Sequence, residues 1–192
     1  MPKDIKNRSE AVLLLFFAED NVLKENAPIE GITRLEKMVF LIEKESNLLR
    51  KLGQKGEFGF RPYKMGPFSS EIYDEVDFLE SLGLVNSRMS GKKQPAESVE
   101  TENFLDEQML DKYQKEDISH DDTERVYKLT EKGKEIARGL FESLPEQEQE
   151  FLVNLKKKFN RMSLRQLLRY IYKKYPDYAT ESEIKDYLGF RY

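Results

Sequence analysis

His120 is the one histidine of the chain and the residue best suited to acid–base chemistry, since it precedes Asp121 and Asp122. An imidazole beside a carboxylate can act as a general base if its position is fixed to within about an ångström. The surrounding segment is acidic and poor in aliphatic residues, so we expect no rigid framework there. The chain also lacks cysteine, a second histidine for a metal site and a Gly-x-x-x-x-Gly-Lys phosphate loop. These features predict a binding protein and not an enzyme, with no catalytic residue, metal or cofactor.

Charge is segregated along the chain, although the net charge is only −4. Residues 97–124 hold eleven acids against two lysines, whereas residues 144–178 hold eight bases against four acids. In the second range, Arg165, Arg169 and Lys173 recur every four residues and should form a stripe on one helix face. Such a stripe can contact the phosphates of DNA, or it can pair with residues 97–124 within the molecule or across a dimer. The sequence leaves both interpretations open.

The candidate DNA-binding residues are of four kinds: this stripe, the basic residues just before it, the basic residues at the start of residues 86–124, and one outward-facing serine. They are Ser70, Arg88, Lys92, Lys93, Lys156, Lys157, Arg161, Arg165, Arg169 and Lys173.

A helix predicted over residues 68–82 carries five acids and no Lys or Arg. Its apolar residues should share one buried face, and its polar residues should face outward. Those predicted as buried are Phe68, Ile72, Val76, Leu79 and Leu82, and those predicted as exposed are Ser70, Asp74, Asp77 and Ser81. Acids repel the DNA backbone, so this helix is either a plain solvated surface or a site for a basic protein partner. The candidate partner-binding residues are Glu71, Asp74, Asp77, Tyr63 and Tyr73.

The elements that position these residues can be read from periodicity and caps. The run from Val12 to Phe17 is wholly apolar and predicts a buried central helix. Thr33 and Glu36 have the spacing of a capping box, which predicts a second helix running to about Lys51. Residues 58–63 predict a short edge strand, and residues 65–68 predict a turn packed under the acidic helix.

A β-ribbon is predicted from two segments that are far apart in sequence. The acidic helix should stop at Gly83 and lead into a strand at Leu84-Val85, whereas Val126–Leu129 should form a second strand before a helix capped by Thr130. If these strands pair, residues 86–124 are an insertion at the tip of the ribbon.

The remainder of the chain predicts further helices. One follows Pro145, a second opens at a Ser163–Gln166 capping box, and a short last helix opens at Thr180. Four tyrosines near the end suit either a dimer seam or ordinary packing onto the body: Tyr170, Tyr172, Tyr175 and Tyr178.

Two motifs resemble known families. The segment Tyr127-Lys-Leu-Thr-Glu-Lys-Gly133, after Gly83-Leu84-Val85, resembles the wing of MarR-like and PadR-like winged-helix regulators. The segment Thr33–Leu41, followed by Tyr63-Lys64-Met65-Gly66-Pro67 and Tyr73, resembles YwgA-like proteins and the SocA-like antitoxin domain. Together the resemblances cover about residues 9–140. The first implies a DNA-binding winged helix, and the second implies recognition of a protein partner.

We therefore predict a mainly α protein with a small β-ribbon (α+β). It should have a winged helix-turn-helix domain at residues 1–143, with the acidic wing insertion 86–124, and a C-terminal helical extension at 144–192. The absence of cysteine, of a signal-peptide pattern and of a membrane-length apolar run predicts a cytoplasmic protein without a membrane partner. The predicted function is a DNA-binding transcriptional regulator. The alternative is a protein-binding module, antitoxin-like or adaptor, and a homodimer is compatible with either.

Overall fold

A computed structural model of the protein describes residues 4–20, 26–89 and 125–190. These residues are mostly helical and include two small antiparallel sheets, which confirms the predicted α+β class. In chain order the elements are α1 (Arg8–Phe17), β1 (Ile29–Glu30), α2 (Ile32–Glu45), β2 (Arg61–Tyr63), β3 (Gly66–Phe68), α3 (Glu71–Ser81), β4 (Val85–Met89), β5 (Arg125–Leu129), α4 (Glu131–Ser143), α5 (Glu146–Phe159) and α6 (Leu164–Lys174), with 3₁₀ segments at Arg50–Gly56 and Pro176–Ala179.

The predicted ribbon is confirmed. β4 and β5 pair antiparallel, with Val85 opposite Leu129 and Met89 opposite Arg125. β1 pairs with the other edge of β5, so the sheet order is β1-β5-β4. Residues 86–89 belong to the ribbon, although the prediction assigned them to the insertion 86–124. Residues 90–124, with Lys92, Lys93, His120 and the acidic range 97–124, lie outside the described residues.

The junction between α3, the ribbon and α4 follows the predicted caps. Gly83 adopts a φ of 65°, which ends α3, and the Thr130 side chain accepts a hydrogen bond from the Gly133 amide at 3.0 Å. A Cβ on Gly133 would lie 2.0 Å from the carbonyl oxygen of Leu84, so a side chain cannot be accommodated there. The start of α4 is therefore packed directly on the start of the ribbon.

The apolar helix α1 lies at the centre of the core, as predicted. Every residue from Ala11 to Phe17 is buried. The helix packs against α3 and α4, and the rings of Phe17 and Phe141 are 5.4 Å apart.

The predicted capping box at Thr33 and Glu36 is wrong. α2 begins at Ile32 after Gly31, and the Glu36 carboxylate points into the protein, where it accepts hydrogen bonds from the Ser69 amide at 2.9 Å and from Lys37 Nζ at 2.6 Å. The buried Thr33 hydroxyl finds no hydrogen-bond partner among the described residues. The Glu36 carboxylate, which its spacing from Thr33 assigned to a cap, therefore binds the amide of Ser69, 33 residues away.

Other boundaries of the first half also differ from the predictions. α2 ends at Glu45 and not near Lys51, because the Ser46 amide and hydroxyl both donate to the Ile42 carbonyl and close the helix. The predicted edge strand is present as β2. Residues 66–68, predicted as a turn, form β3, so Phe68 lies on a strand and not on α3.

The β2–β3 hairpin is held between α2 and α6. Lys37 Nζ donates to the Pro67 carbonyl at 2.8 Å from the α2 side. On the α6 side, a Cβ on Gly66 would lie 2.6 Å from Cε1 of Tyr172, and Gly66 has a φ of 84°. Gly66 is therefore required both for the backbone conformation and for the close approach of Tyr172.

The C-terminal region packs on the body through its aromatic residues. The predicted Ser163–Gln166 capping box is present, with both hydrogen bonds at 3.2 Å. Tyr172 is fully buried, and Tyr175 and Tyr178 pack edge-on against Phe40. These contacts agree with ordinary packing onto the body.

The short helix predicted from Thr180 is wrong, since a 3₁₀ segment and turns occupy this region. The Ser182 hydroxyl bonds to Tyr172, and the Glu183 amide donates to the Lys64 carbonyl, so polar groups that could start a helix instead bind the hairpin and α6.

The buried Glu36–Lys37 pair predicts a specific pattern of stability. Substituting Lys37→Met leaves a buried carboxylate without its cation, and we expect the free energy of unfolding to fall by about 3–5 kcal/mol. Burial already raises the pKa of Glu36, although Lys37 and the Ser69 amide oppose it. Without Lys37 this pKa should rise further, and the folded state should then bind a proton that the unfolded state does not. The loss measured by urea denaturation should therefore be smaller at pH 5 than at pH 8.

The matched control is the double variant E36Q/K37M, which removes both charges but keeps a side-chain oxygen at position 36 that can accept from the Ser69 amide. It should be more stable than K37M at pH 8. Equal stability of the two variants, or a K37M loss that does not change with pH, would contradict the assigned pairing.

Candidate functional site

Two surfaces bring candidate residues together. One is on α3, and the other is on α6. α3 packs against α1, whereas α6 packs against α2 and β3. The two surfaces differ in charge and share no residue.

α3 is anchored by three buried apolar residues and by Arg8. Ile72, Val76 and Leu79 are buried. Arg8 Nε donates to Glu75 at 2.6 Å, and Arg8 Nη2 also pairs with Glu71. Burial lowers the pKa of Arg8, but the hydrogen bonds to Glu75 and Glu71 outweigh this and raise it overall. Two of the five acids of α3 are thus used to attach the helix to α1.

The outward side of α3 carries acids and large apolar side chains. Asp74 and Asp77 are exposed, as predicted. Phe78 is 50% exposed and Leu82 is 42% exposed, and the Leu82 amide donates to the Phe78 carbonyl at 3.1 Å, so the two lie one helical turn apart. We call this surface the α3 face and define it by Asp74, Asp77, Phe78, Ser81 and Leu82.

The prediction that Leu82 is buried is wrong, and Phe78 was not singled out by the sequence. At about 100° per residue, Leu82 lies at the edge of the predicted buried face of α3, and the chain leaves the core at Gly83 one residue later. The exposure of Phe78 could have been predicted from its position on α3. It is four residues after Asp74 and one turn before Leu82, which places it on the side of the helix with the polar residues.

One flank of α3 gathers the two candidate tyrosines. The rings of Tyr63 and Phe68 are 5.0 Å apart, and those of Phe68 and Tyr73 are 6.1 Å apart, so aromatic contacts run from the hairpin to α3. Tyr73 then lines a cleft of about 50 Å³ with Asp77. The other residues lining it are Ile32, Val76, Glu80, Arg125 and Tyr127. The structure therefore brings Tyr63, Tyr73 and Asp77 along one edge, whereas Glu71 lies with Arg8.

Ser70 and Arg88 lie on elements other than α6. Ser70 is exposed at the N-cap position of α3, and its side chain makes no capping hydrogen bond to that helix. Arg88 is exposed on β4, opposite Val126. In the three-stranded sheet, β5 lies between β4 and β1, and β1 is the strand that packs on α2. α6 packs on α2 directly, whereas Arg88 on β4 is on the strand of this sheet that is farthest from β1.

The surface of α6 is basic throughout. Residues 164–174 contain no acid. Leu167, Leu168, Ile171 and Tyr172 form the buried side. Arg169 and Lys173 are exposed, and the Arg165 guanidinium lies 5.1 Å from the ring centre of Tyr187.

Two basic residues and a tyrosine that were not among the candidate DNA-binding residues extend this surface. Lys158 Nζ lies 4.3 Å from the ring centre of Tyr170, and Lys174 Nζ lies 5.6 Å from it. Burial lowers the pKa of Lys174, but hydrogen bonds to Glu45 and Tyr170 raise it by more, so Lys174 stays charged. We call this surface the α6 face; it comprises Lys158, Arg165, Arg169, Tyr170, Lys173 and Lys174.

The bases that precede α6 are engaged elsewhere. Lys157 pairs with Glu19, and Arg161 Nε lies 3.5 Å from Asp20 while remaining 56% exposed. Lys156 is fully buried, and its Nζ donates to the Phe16 carbonyl at 2.6 Å near the C-terminal end of α1. The placement of Lys156 among the DNA-binding candidates is therefore corrected, because a buried ammonium cannot reach a phosphate.

Within residues 4–20, 26–89 and 125–190, no group of three His, Asp or Glu side chains is arranged to hold a metal ion. In the same ranges no helix combines the length and apolar character needed to cross a membrane.

Comparison of the chain with protein-family models, with curated proteins and with solved structures found no match in any of the three. The geometry and charge of the two faces are therefore the basis for assigning a function.

Lys156 predicts a pH dependence of stability. Burial lowers the pKa of Lys156 from 10.5 to about 7, against the attraction of Asp20. Between these values the unfolded chain binds a proton that the folded protein does not, so raising the pH favours folding. The stability of the wild type relative to K156M should therefore rise from pH 7 to pH 10, by at most about 1.4 kcal/mol per pH unit.

The measurement is chemical denaturation of both proteins at several pH values. Taking the difference between them cancels the titration of other groups. A difference that stays flat from pH 7 to pH 10 would show that burial does not lower the pKa of Lys156.

Proposed function

We propose that the protein is a DNA-binding regulator of winged-helix type that contacts duplex DNA through the α6 face. The order α1-β1-α2-β2-β3-α3-β4-β5, with β1 and β4 on either side of β5, supports a winged-helix assignment in which the β2–β3 hairpin is inserted between α2 and α3. In that arrangement α3 occupies the position of the recognition helix, and β4 and β5 form the wing.

The observation that carries the proposal is the contrast in charge between the two helices. In helix-turn-helix proteins the recognition helix enters the major groove, close to the phosphates. Lys and Arg side chains that neutralise these phosphates supply most of the affinity. α3 has no Lys or Arg, and Asp74 and Asp77 point outward, so it would repel the backbone. α6 has the opposite composition, with bases along its exposed side and no acid.

The geometry of the α6 face suits contact with a polyanion. Arg165, Arg169 and Lys173 follow one another at four-residue intervals, which brings their side chains to the same side of the helix. The buried side of α6 holds the helix rigidly against α2 and β3, so the bases project from a fixed support. Tyr170 adds a polar aromatic surface in contact with Lys158 and Lys174.

The test is the salt dependence of binding to a mixed-sequence DNA duplex, measured by fluorescence anisotropy for the wild type and for R169Q/K173Q. The slope of log K against log salt is negative, and each phosphate contact that is lost should reduce its magnitude by about 0.9. For the double variant we therefore expect weaker binding and a slope whose magnitude is smaller by about 2.

The matched control is R50Q/K55Q, which removes two exposed bases from the 3₁₀ segment after α2 and gives the same net charge. It should retain the wild-type slope. If R169Q/K173Q binds with wild-type affinity and slope, or if both double variants lose the same amount, the α6 face is not the DNA-binding surface.

A further inference from the structure

We propose that the α3 face is a docking surface for a basic amphipathic helix of a partner protein. The proposal uses no residue of the α6 face and is independent of DNA binding. It starts from two side chains that the fold leaves in solvent.

Phe78 and Leu82 are half of the large apolar side chains that are exposed among the described residues, the others being Met89 and Ile136. Single exposed apolar residues are common on protein surfaces, but two on one helical turn form a patch. Side chains at positions i and i+4 of a helix are neighbours, so the two present one continuous apolar ridge.

The fold does not need this ridge. α3 is already attached by the buried Ile72, Val76 and Leu79 and by the ion pairs of Arg8. Neither Phe78 nor Leu82 belongs to the apolar core. Their exposure is therefore unconnected with holding α3 in place and is explained if another molecule covers them.

Charge complementarity specifies the occupant. Asp74 is one helical turn before Phe78 on the same side of α3, whereas the exposed Asp77 lies on the flank that forms the cleft. Glu80, partly exposed, adds a third carboxylate on that flank. A cation also lies at the C-terminal end of α3, where Lys132 Nζ donates to the Leu82 carbonyl at 2.9 Å and so neutralises the negative helix end.

A partner helix with apolar residues on one side and Lys or Arg beside them matches this arrangement. Its apolar side would cover Phe78 and Leu82, and its bases would reach Asp74 and Asp77. This is the helix-in-groove type of recognition, in which apolar anchors give affinity and flanking charges give register and specificity.

The probe is a fluorescent peptide of leucine and lysine with leucines at helical spacing, about 18 residues long so that it can form a helix. Binding is followed by anisotropy with the full chain, and hydrogen exchange locates the protected segment. The wild type should bind this peptide, with protection at α3. A peptide of the same pattern with glutamate in place of lysine should not bind.

Two double variants separate the apolar and the electrostatic contributions. F78S/L82S should weaken binding at least about tenfold, and D74N/D77N should weaken it and reduce its dependence on salt. The matched control is Met89→Ser, because Met89 is also 50% exposed but lies at the end of β4. It should bind as the wild type does. All these side chains are exposed, so circular dichroism should show the same fold for every variant.

Three results would overturn the proposal. The first is equal peptide binding by F78S/L82S and the wild type. The second is a wild-type oligomer in sedimentation that F78S/L82S dissociates, which would make a second copy of the chain the occupant. The third is loss of duplex DNA binding in F78S/L82S, which would assign the α3 face to DNA.

Discussion

The buried contact between Glu36, Lys37 and the β2–β3 hairpin is the interaction on which the positions of both faces depend. Lys37 binds the Pro67 carbonyl, and Glu36 binds the amide of Ser69, two residues before α3 begins. The same hairpin carries Gly66, against which Tyr172 of α6 packs. One ion pair on α2 therefore fixes the start of α3 on one side and the underside of α6 on the other.

A buried pair of this kind is costly unless its remaining hydrogen-bonding capacity is satisfied. Here the partners are backbone groups, and backbone groups leave little freedom for alternative registers. An apolar pair would hold α2 against the hairpin without specifying which hairpin residue it contacts, whereas a carboxylate bound to one amide and an ammonium bound to one carbonyl select a single register. We interpret the pair as a device for specificity in the hairpin position, and this interpretation explains why two charges stand side by side in the core.

The elements that could be predicted from the sequence are those determined by their own neighbours. The Ser163–Gln166 box, the Thr130 cap and the stop at Gly83 each close within a few residues, and each is present. The failures share a different cause. Glu36 and Lys156 were assigned by local spacing, but Ser69 and Phe16 bind them across the fold. The prediction that Leu82 is buried is wrong because helical periodicity does not show where a helix leaves the core. For the candidate site, the stripe at Arg169 and Lys173 was visible as a pattern, whereas Lys158 joins Tyr170 only through packing of α5 on α6.

The division of the acids on α3 bears on how the two faces relate. Glu71 and Glu75 serve the fold, because Arg8 ties them to α1. Asp74 and Asp77 are exposed and do not attach α3 to α1. They are close in sequence to Phe78, which is exposed and lies outside the core. A merely solvated helix face would be expected to carry both signs of charge and isolated apolar residues. A face with one sign of charge and a paired apolar ridge agrees better with the proposed recognition of a basic partner helix. Such a helix would be unsuited to the DNA groove, and phosphate contacts would then have to come from a different element, which is the role that we propose for α6.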